Sequence, residues 1–323
     1  MVSLLDPLEV KGLTLKNRII MPPMQTNLAT TKGAVTDELI EHYVRRSEAL
    51  GLVIAEHSYV SLDGKLMDRQ LGIYDESLVS GLEKLSSSIN AVGTPVVIQI
   101  NHAGGKASRE ITGMQPVAPS PSENARHLKV KEIESLVEAY SLAAERAIRA
   151  GFDGVEIHGA HGFLLNQFYS PLTNRRHDRY GGSLENRIRF PLDVVKRVKK
   201  KLGKRLLLYR LGSVDLNPAG TQIEDSKKFA VKLEAAGVDI IDVSGGLSGD
   251  SPAQLQNIQG YFIPQAREIK KVVDVPVIGV GGITEPEYAN NMIRDKKVDL
   301  VAIGRALLND PDWAIKAINK LKV

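Results

Sequence analysis

Cysteine is missing altogether from the 323 residues. Its absence excludes disulfides, thiolate nucleophiles, iron–sulfur clusters and thiolate-bound zinc, so redox chemistry on this chain needs a bound cofactor. Aromatic residues are scarce, at 5% with one tryptophan, and the formal net charge is only +4. The basic residues are spread along helices such as KRVKKKLGKR rather than interleaved with aromatic rings. That run reads as a solvated helix end, and nucleic acid is not an expected partner. No apolar run approaches the length that crosses a bilayer. The stretch MVSLLDPLEVKG lacks the ordered basic, apolar and cleavable segments of a secretory leader, so no membrane partner and a cytoplasmic location are expected. What the chain does have is 43% hydrophobic and 25% charged residues, enough for a large buried core under a solvated surface.

Short runs rich in Val and Ile recur along the whole chain, each followed by a stretch of helical period. They lie near Ile19, Val53, Val97, Val155, Leu208, Ile240, Val277 and Val301. Segments such as TDELIEHYVRRSEAL, KEIESLVEAYSLAAERAIRAG and QIEDSKKFAVKLEAAG carry apolar residues at three- and four-residue spacing and end near glycine. Eight such units without a linker predict a single α/β domain over residues 1–323, a parallel (β/α)8 TIM barrel. Ahead of it, PLEVKGLTLKN alternates around a Lys-Gly turn and predicts an N-terminal β-hairpin able to plug the barrel floor. The longest loop, Ala103 to Lys129, is expected to be a lid or a disordered tip.

Active sites of such barrels gather at the C-terminal ends of the strands. Those positions hold Pro22, Pro23, Met24 and Gln25 after the first strand, Glu56 and His57 after the second, and Gln99, Asn101 and His102 after the third. His158 and His161 follow the fourth, Arg210 ends the fifth, and Ser244 ends the sixth. The last two strands end in Gly281, Gly282 and in Gly304, Arg305. Glycines there let backbone N–H groups reach phosphate oxygens, and an arginine adds a bidentate charge; the plainer alternative is tight turns. For His158 and His161 a metal site with Glu156 competes, as does a satisfied core role. For Arg210 the plainer alternative is a charge paired inside the barrel, for instance with Glu156, which shares the His158 side of its strand.

NRIIMPPM, IQINHAGGKAS, GFDGVEIHGAHGFLLNQFYSPLTNRRHDRYGGSLENR and AIGRALLNDP, in that order and over nearly the whole chain, resemble the old yellow enzyme family of FMN-dependent NAD(P)H oxidoreductases and ene-reductases. The resemblance implies FMN as cofactor and NADPH or NADH as reductant. Two half-reactions would share one site, with an activated alkene or a quinone as small-molecule acceptor. It also implies a homo-oligomer. Pro22 to Gln25 and His57 would border the flavin edge, Gln99 its pyrimidine side, and Arg210 the N1 and O2 positions where negative charge collects. Gly281, Gly282, Gly304 and Arg305 would hold the phosphate. His158 and His161 would hold the acceptor's oxygen and stabilise the charge that builds there.

The chain departs from the family pattern at several positions. Phe163 stands where relatives have the tyrosine that protonates the α-carbon. Tyr169, Tyr59, Tyr261 or water are the replacements considered, and Phe163 and Tyr261 join the substrate-contacting set. Gln25 replaces a cysteine or threonine, Asn27 a tyrosine used against substrate, and Gly105 an arginine. Two other functions are weighed: a flavin-binding barrel with altered or lost turnover, and a phosphosugar-type aldolase or isomerase. The second lacks a Schiff-base lysine at the end of DVSGG.

Overall fold

The computed structural model describes residues 2–322. Lys11 and Gly12 adopt φ of 53° and 80°. Two successive left-handed residues make the hairpin turn whose twist matches its strands, and β1 (Leu8–Val10) pairs antiparallel with β2 (Leu13–Leu15).

The eight predicted strands all form. They are β3 (Ile19–Met21), β4 (Leu52–Tyr59), β5 (Val96–Asn101), β8 (Gly154–Gly159), β9 (Leu206–Gly212), β10 (Ile240–Ser244), β11 (Val277–Gly279) and β12 (Leu300–Ala302), with β6 (Val117–Ala118) and β7 (Arg126–His127) outside the barrel. Neighbouring barrel strands are parallel and β9 pairs with β10 to close the ring, a (β/α)8 barrel. Helices between the strands cover the outside. The helix Asp37–Ser47 is capped by Thr36 Oγ1, which accepts from Leu39 N at 3.2 Å, and such a cap supplies one of the partners the first turn lacks.

Val10 and Leu15 pack in one cluster with inward residues Ile20, Leu52, Ile54, Val97, Leu206 and Ile240. The hairpin is the barrel's floor, because its apolar face has no other surface on which to escape water. Functional side chains are thereby confined to the opposite mouth.

The segment 103–129 is ordered structure rather than a loose tip. It contains the short turn Gly104–Lys106, a helix at Arg109–Thr112, and the parallel pair β6–β7. Arg176, from the loop after β8, donates through Nη1 to Pro119 O at 2.8 Å and Leu128 O at 2.7 Å, while Asp178 holds its Nε and Nη2. One guanidinium satisfies the carbonyls that directly follow β6 and β7. The sequence reading missed this because the donor lies in a different loop.

Candidate functional site

Strand β4 shifts register against β5 between Ala55 and Ser58. Strict alternation would send Glu56 and His57 to opposite faces, but a bulge re-aims neighbouring side chains. Both are buried at the mouth, where Glu56 Oε2 accepts from Thr26 N at 3.1 Å and Thr26 Oγ1 at 2.6 Å. The carboxyl thus anchors the loop that follows β3. Burial raises its pKa from 4.5 to about 7.

The mouth opens into a cavity of about 700 Å3, within the range of small-molecule sites. Its walls include Pro22, Pro23, Met24 and Gln25, then His57, His158, His161, Phe163 and Arg210. Gly282, Gly304, Arg305 and Tyr261 line it as well. Strand β8 ends on residues that bring its histidines together. His161 and Gly162 take φ of 57° and 69°, a left-handed pair that costs His161 strain. The turn is held by Lys106 Nζ donating to His161 O at 2.6 Å and Gly162 N donating to Asn166 Oδ1 at 2.7 Å. As a result the two imidazoles meet edge to face, centroids 4.9 Å apart.

Both rings are neutral. Burial first, then the neighbouring ring His161, holds His158 well below the ordinary histidine range, and burial with Arg210 does the same for His161. Ala160 N donates to His158 Nδ1 at 3.3 Å, which leaves the His158 proton on Nε2. His161 Nε2 lies 2.7 Å from Ser244 Oγ. Phe163 closes the group, 4.8 Å from the His158 centroid and 5.3 Å from that of His57.

Arg210, 4% exposed, pairs with Asp242 at 3.3 Å rather than with Glu156. Burial raises the Asp242 pKa, and burial together with Asp242 drives Glu156 well above the usual carboxylate range. Burial and the neighbouring carboxyl thus favour the protonated form of Glu156, while Asp242 faces the guanidinium. Gln99 donates to Glu156 Oε2 at 2.6 Å; its Oε1 and Arg210 Nε find no partner among the described residues. Buried polar atoms without partners point to an external one.

At the far end, a Cβ on Gly282 would stand 3.3 Å from Arg305 Nη2 and one on Gly304 would stand 3.4 Å from Met24 Sδ. Side chains there would fill the space in front of the arginine. Arg305 Nη2 also reaches Tyr261 Oη at 3.3 Å. This cradle, in one cavity with the Arg210 guanidinium, fits an elongated ligand that carries an anion and a hydrogen-bonding ring.

Four residues given a cofactor, substrate or catalytic role from sequence do not line the cavity. Gln99 lies wholly buried beside Glu156. Gly281 sits behind Tyr261, whose N–H it accepts. Tyr169 is buried in the core, 2.7 Å from Ser226 Oγ, and Asn27 is exposed and accepts from Gln25 Nε2 at 2.9 Å. Tyr59 also stays out of the cavity, its hydroxyl donating to Lys32 O. Conversely, Lys106 and Ser244 line the cavity. The two-residue period of IIDVS could have flagged Asp242 as inward-facing beside Arg210. Among the described residues no group of three or more His, Asp or Glu is placed to hold a metal ion. No helix among them is long and apolar enough to cross a membrane.

Comparison with known proteins assigns this geometry to a lineage. Residues 3–323 match the NADH:flavin oxidoreductase / NADH oxidase family. The chain is 42% identical over 321 residues to an NADH oxidase of Thermoanaerobacter brockii, covering 95% of this chain and 49% of that one. It is 38% identical over 324 residues to an NADPH dehydrogenase of Bacillus licheniformis, covering 99% and 95%. The chain thus spans about half the length of the first relative and nearly all of the second. Among solved structures, the old yellow enzyme homologue of Zymomonas mobilis superposes with a TM-score of 0.87 at 30% identity, covering 99% of this chain and 93% of that one. With barrel, mouth and cradle in agreement, the chain belongs to the NADH:flavin oxidoreductase / NADH oxidase family, the FMN oxidoreductases of old yellow enzyme type.

Proposed function

We propose that the cavity holds FMN and that the chain is an NAD(P)H oxidoreductase whose acceptors are activated alkenes, such as enones and maleimides, or quinone-like molecules. FMN, when bound, supplies a ring that takes a hydride from a nicotinamide and passes it from N5 to an acceptor. Gly282, Gly304 and Arg305 would take its phosphate, and Arg210 and the segment Pro22–Gln25 would border the ring. The observation that carries the proposal is the neutral pair His158 and His161 in the same cavity as Arg210. Imidazole N–H groups stabilise charge growing on an acceptor's oxygen without adding a cation of their own. The guanidinium favours negative charge on its own side of the cavity.

Phe163 has no proton to give. Tyr261, the tyrosine that lines the cavity, donates to Asp250 O at 2.7 Å. Protonation at carbon would then fall to water, and acceptors reduced at oxygen, such as quinones, need no such donor. The test is an anaerobic assay. Purified protein should show flavin absorbance that bleaches with NADPH or NADH and returns with cyclohexenone, maleimide or a quinone. Protein that takes up no FMN, or whose flavin no nicotinamide bleaches, would sink the proposal.

A further inference from the structure

Gln70 lies in the irregular stretch after β4, wholly buried. Two backbone groups of fixed polarity orient its amide. Oε1 accepts from Leu66 N at 2.8 Å, and Nε2 donates to His57 O at 3.0 Å. No flip of the amide satisfies both. The same Nε2 faces His57 Nδ1 at 2.9 Å, and Asn101 Nδ2 stands 3.3 Å from that nitrogen. A ring nitrogen met by donors must accept, so the proton of the neutral His57 ring resides on Nε2.

That proton has one destination. His57 Nε2 lies 2.9 Å from Gln25 Oε1 and donates to it. With its oxygen engaged, Gln25 turns its NH2 outward, one hydrogen toward Asn27 Oδ1 at 2.9 Å and the other free for the cavity that Gln25 lines. Burial, then Arg210, holds the His57 pKa down to about 4, so the ring stays uncharged at neutral pH. The direction of every hydrogen bond from Leu66 to Asn27 follows from the backbone at its inner end.

We propose that Gln70 is a positioning residue which, through the His57 tautomer, fixes the polarity of the Gln25 amide, so that the cavity wall offers N–H rather than carbonyl at this point. The proposal rests on the reading that the Gln25 segment borders FMN. Donors at the ring edge stabilise added negative charge, whereas a carbonyl would oppose it.

Nitrogen-15 spectra of the flavin-free wild-type protein near pH 7 should show His57 as a single Nε2–H tautomer. An Nδ1–H tautomer, or an averaged mixture, would overturn the relay whatever the protein binds. Gln70→Met removes the inner donor at similar length. It should release the tautomer and shift the midpoint potential of bound FMN to a more negative value, while the His158 and His161 signals stay in place. In a Gln25→Met background the same Gln70→Met change should no longer move the potential. A shift that persists there, or no shift in either background, would refute positioning through Gln25. Absence of any FMN uptake would instead defeat the functional reading, and with it the half of this proposal that concerns the ring.

Discussion

Glu56→Gln isolates the carboxyl that anchors the first mouth loop. Burial moves its pKa from 4.5 to about 7, so the folded chain binds this proton more tightly than the unfolded chain does. Well below pH 4.5 both states carry the proton and nothing is lost, and at pH 4.5 itself the loss is only about 0.4 kcal/mol. As pH rises toward 7 the unfolded chain releases it while the folded chain keeps it, and stability falls by about 1.4 kcal/mol per pH unit. Above 7 the loss is complete, at about 3 kcal/mol. A glutamine keeps an oxygen for Thr26 N and Oγ1 and has nothing to ionise. Urea unfolding of the flavin-free protein, followed by circular dichroism, should therefore find variant and wild type close together near pH 4.5. The variant should be more stable by about 3 kcal/mol at pH 8. Other titrating groups cancel in the difference between the two proteins. A gap that is the same at both pH values, or that favours the wild type at pH 8, would refute the assignment of a buried, proton-holding Glu56.

Phe163→Tyr should raise cyclohexenone turnover on the order of tenfold to a hundredfold while leaving quinone turnover unchanged, since a positioned acid accelerates only the step that needs its proton; equal effects on both acceptors would count against it. Gly281 has φ of 130°, and a Cβ there would stand 2.7 Å from Tyr261 Cδ2 and 2.8 Å from Tyr261 N. Gly281→Ala should push Tyr261 toward the cradle and weaken FMN binding by roughly tenfold or more, the scale of a strain of about 1–3 kcal/mol, as read by fluorescence titration. Leu15→Ala removes a wholly buried side chain from the floor. It should cost roughly 2–5 kcal/mol in urea unfolding with the FMN dissociation constant unchanged, because the floor and the mouth lie at opposite ends.

Much of this architecture is legible in the sequence because its signals are local. The apolar runs at Val53, Val155 and Ile240 stand out against their helices, and Lys11-Gly12 between alternating residues already writes the hairpin. The mouth residues follow from strand ends alone, which is why Pro22 to Gln25, His57, His158, His161 and Arg210 could be named together and are found around one cavity. What escaped depends on partners distant in the chain. The bulge that turns Glu56 and His57 to the same end is a property of the β4–β5 register. Gln70 is polar, sits in a loop and looks like any solvated residue until Leu66 and His57 close around it. An ion pair of Arg210 with Glu156 on β8 was only the alternative to a flavin contact; the register sets Asp242 of β10 opposite Arg210 instead. Tyr169 was near the site in sequence, but the helix Leu164–Tyr169 carries it into the core against Phe229.

The Arg176 brace has a practical consequence for swapping parts between homologues. Its guanidinium belongs to one excursion of the chain and both carbonyls it satisfies belong to another. A chimera that transplants residues 103–129 without the stretch around 174–180 strands two acceptors, or leaves a cation facing the wrong graft. Lys106 and Gly105 tie the same excursion to His161 and Gln167, so the exchangeable unit is 103–129 together with the loop from His161 to Tyr180, and swapping it whole leaves the floor in place.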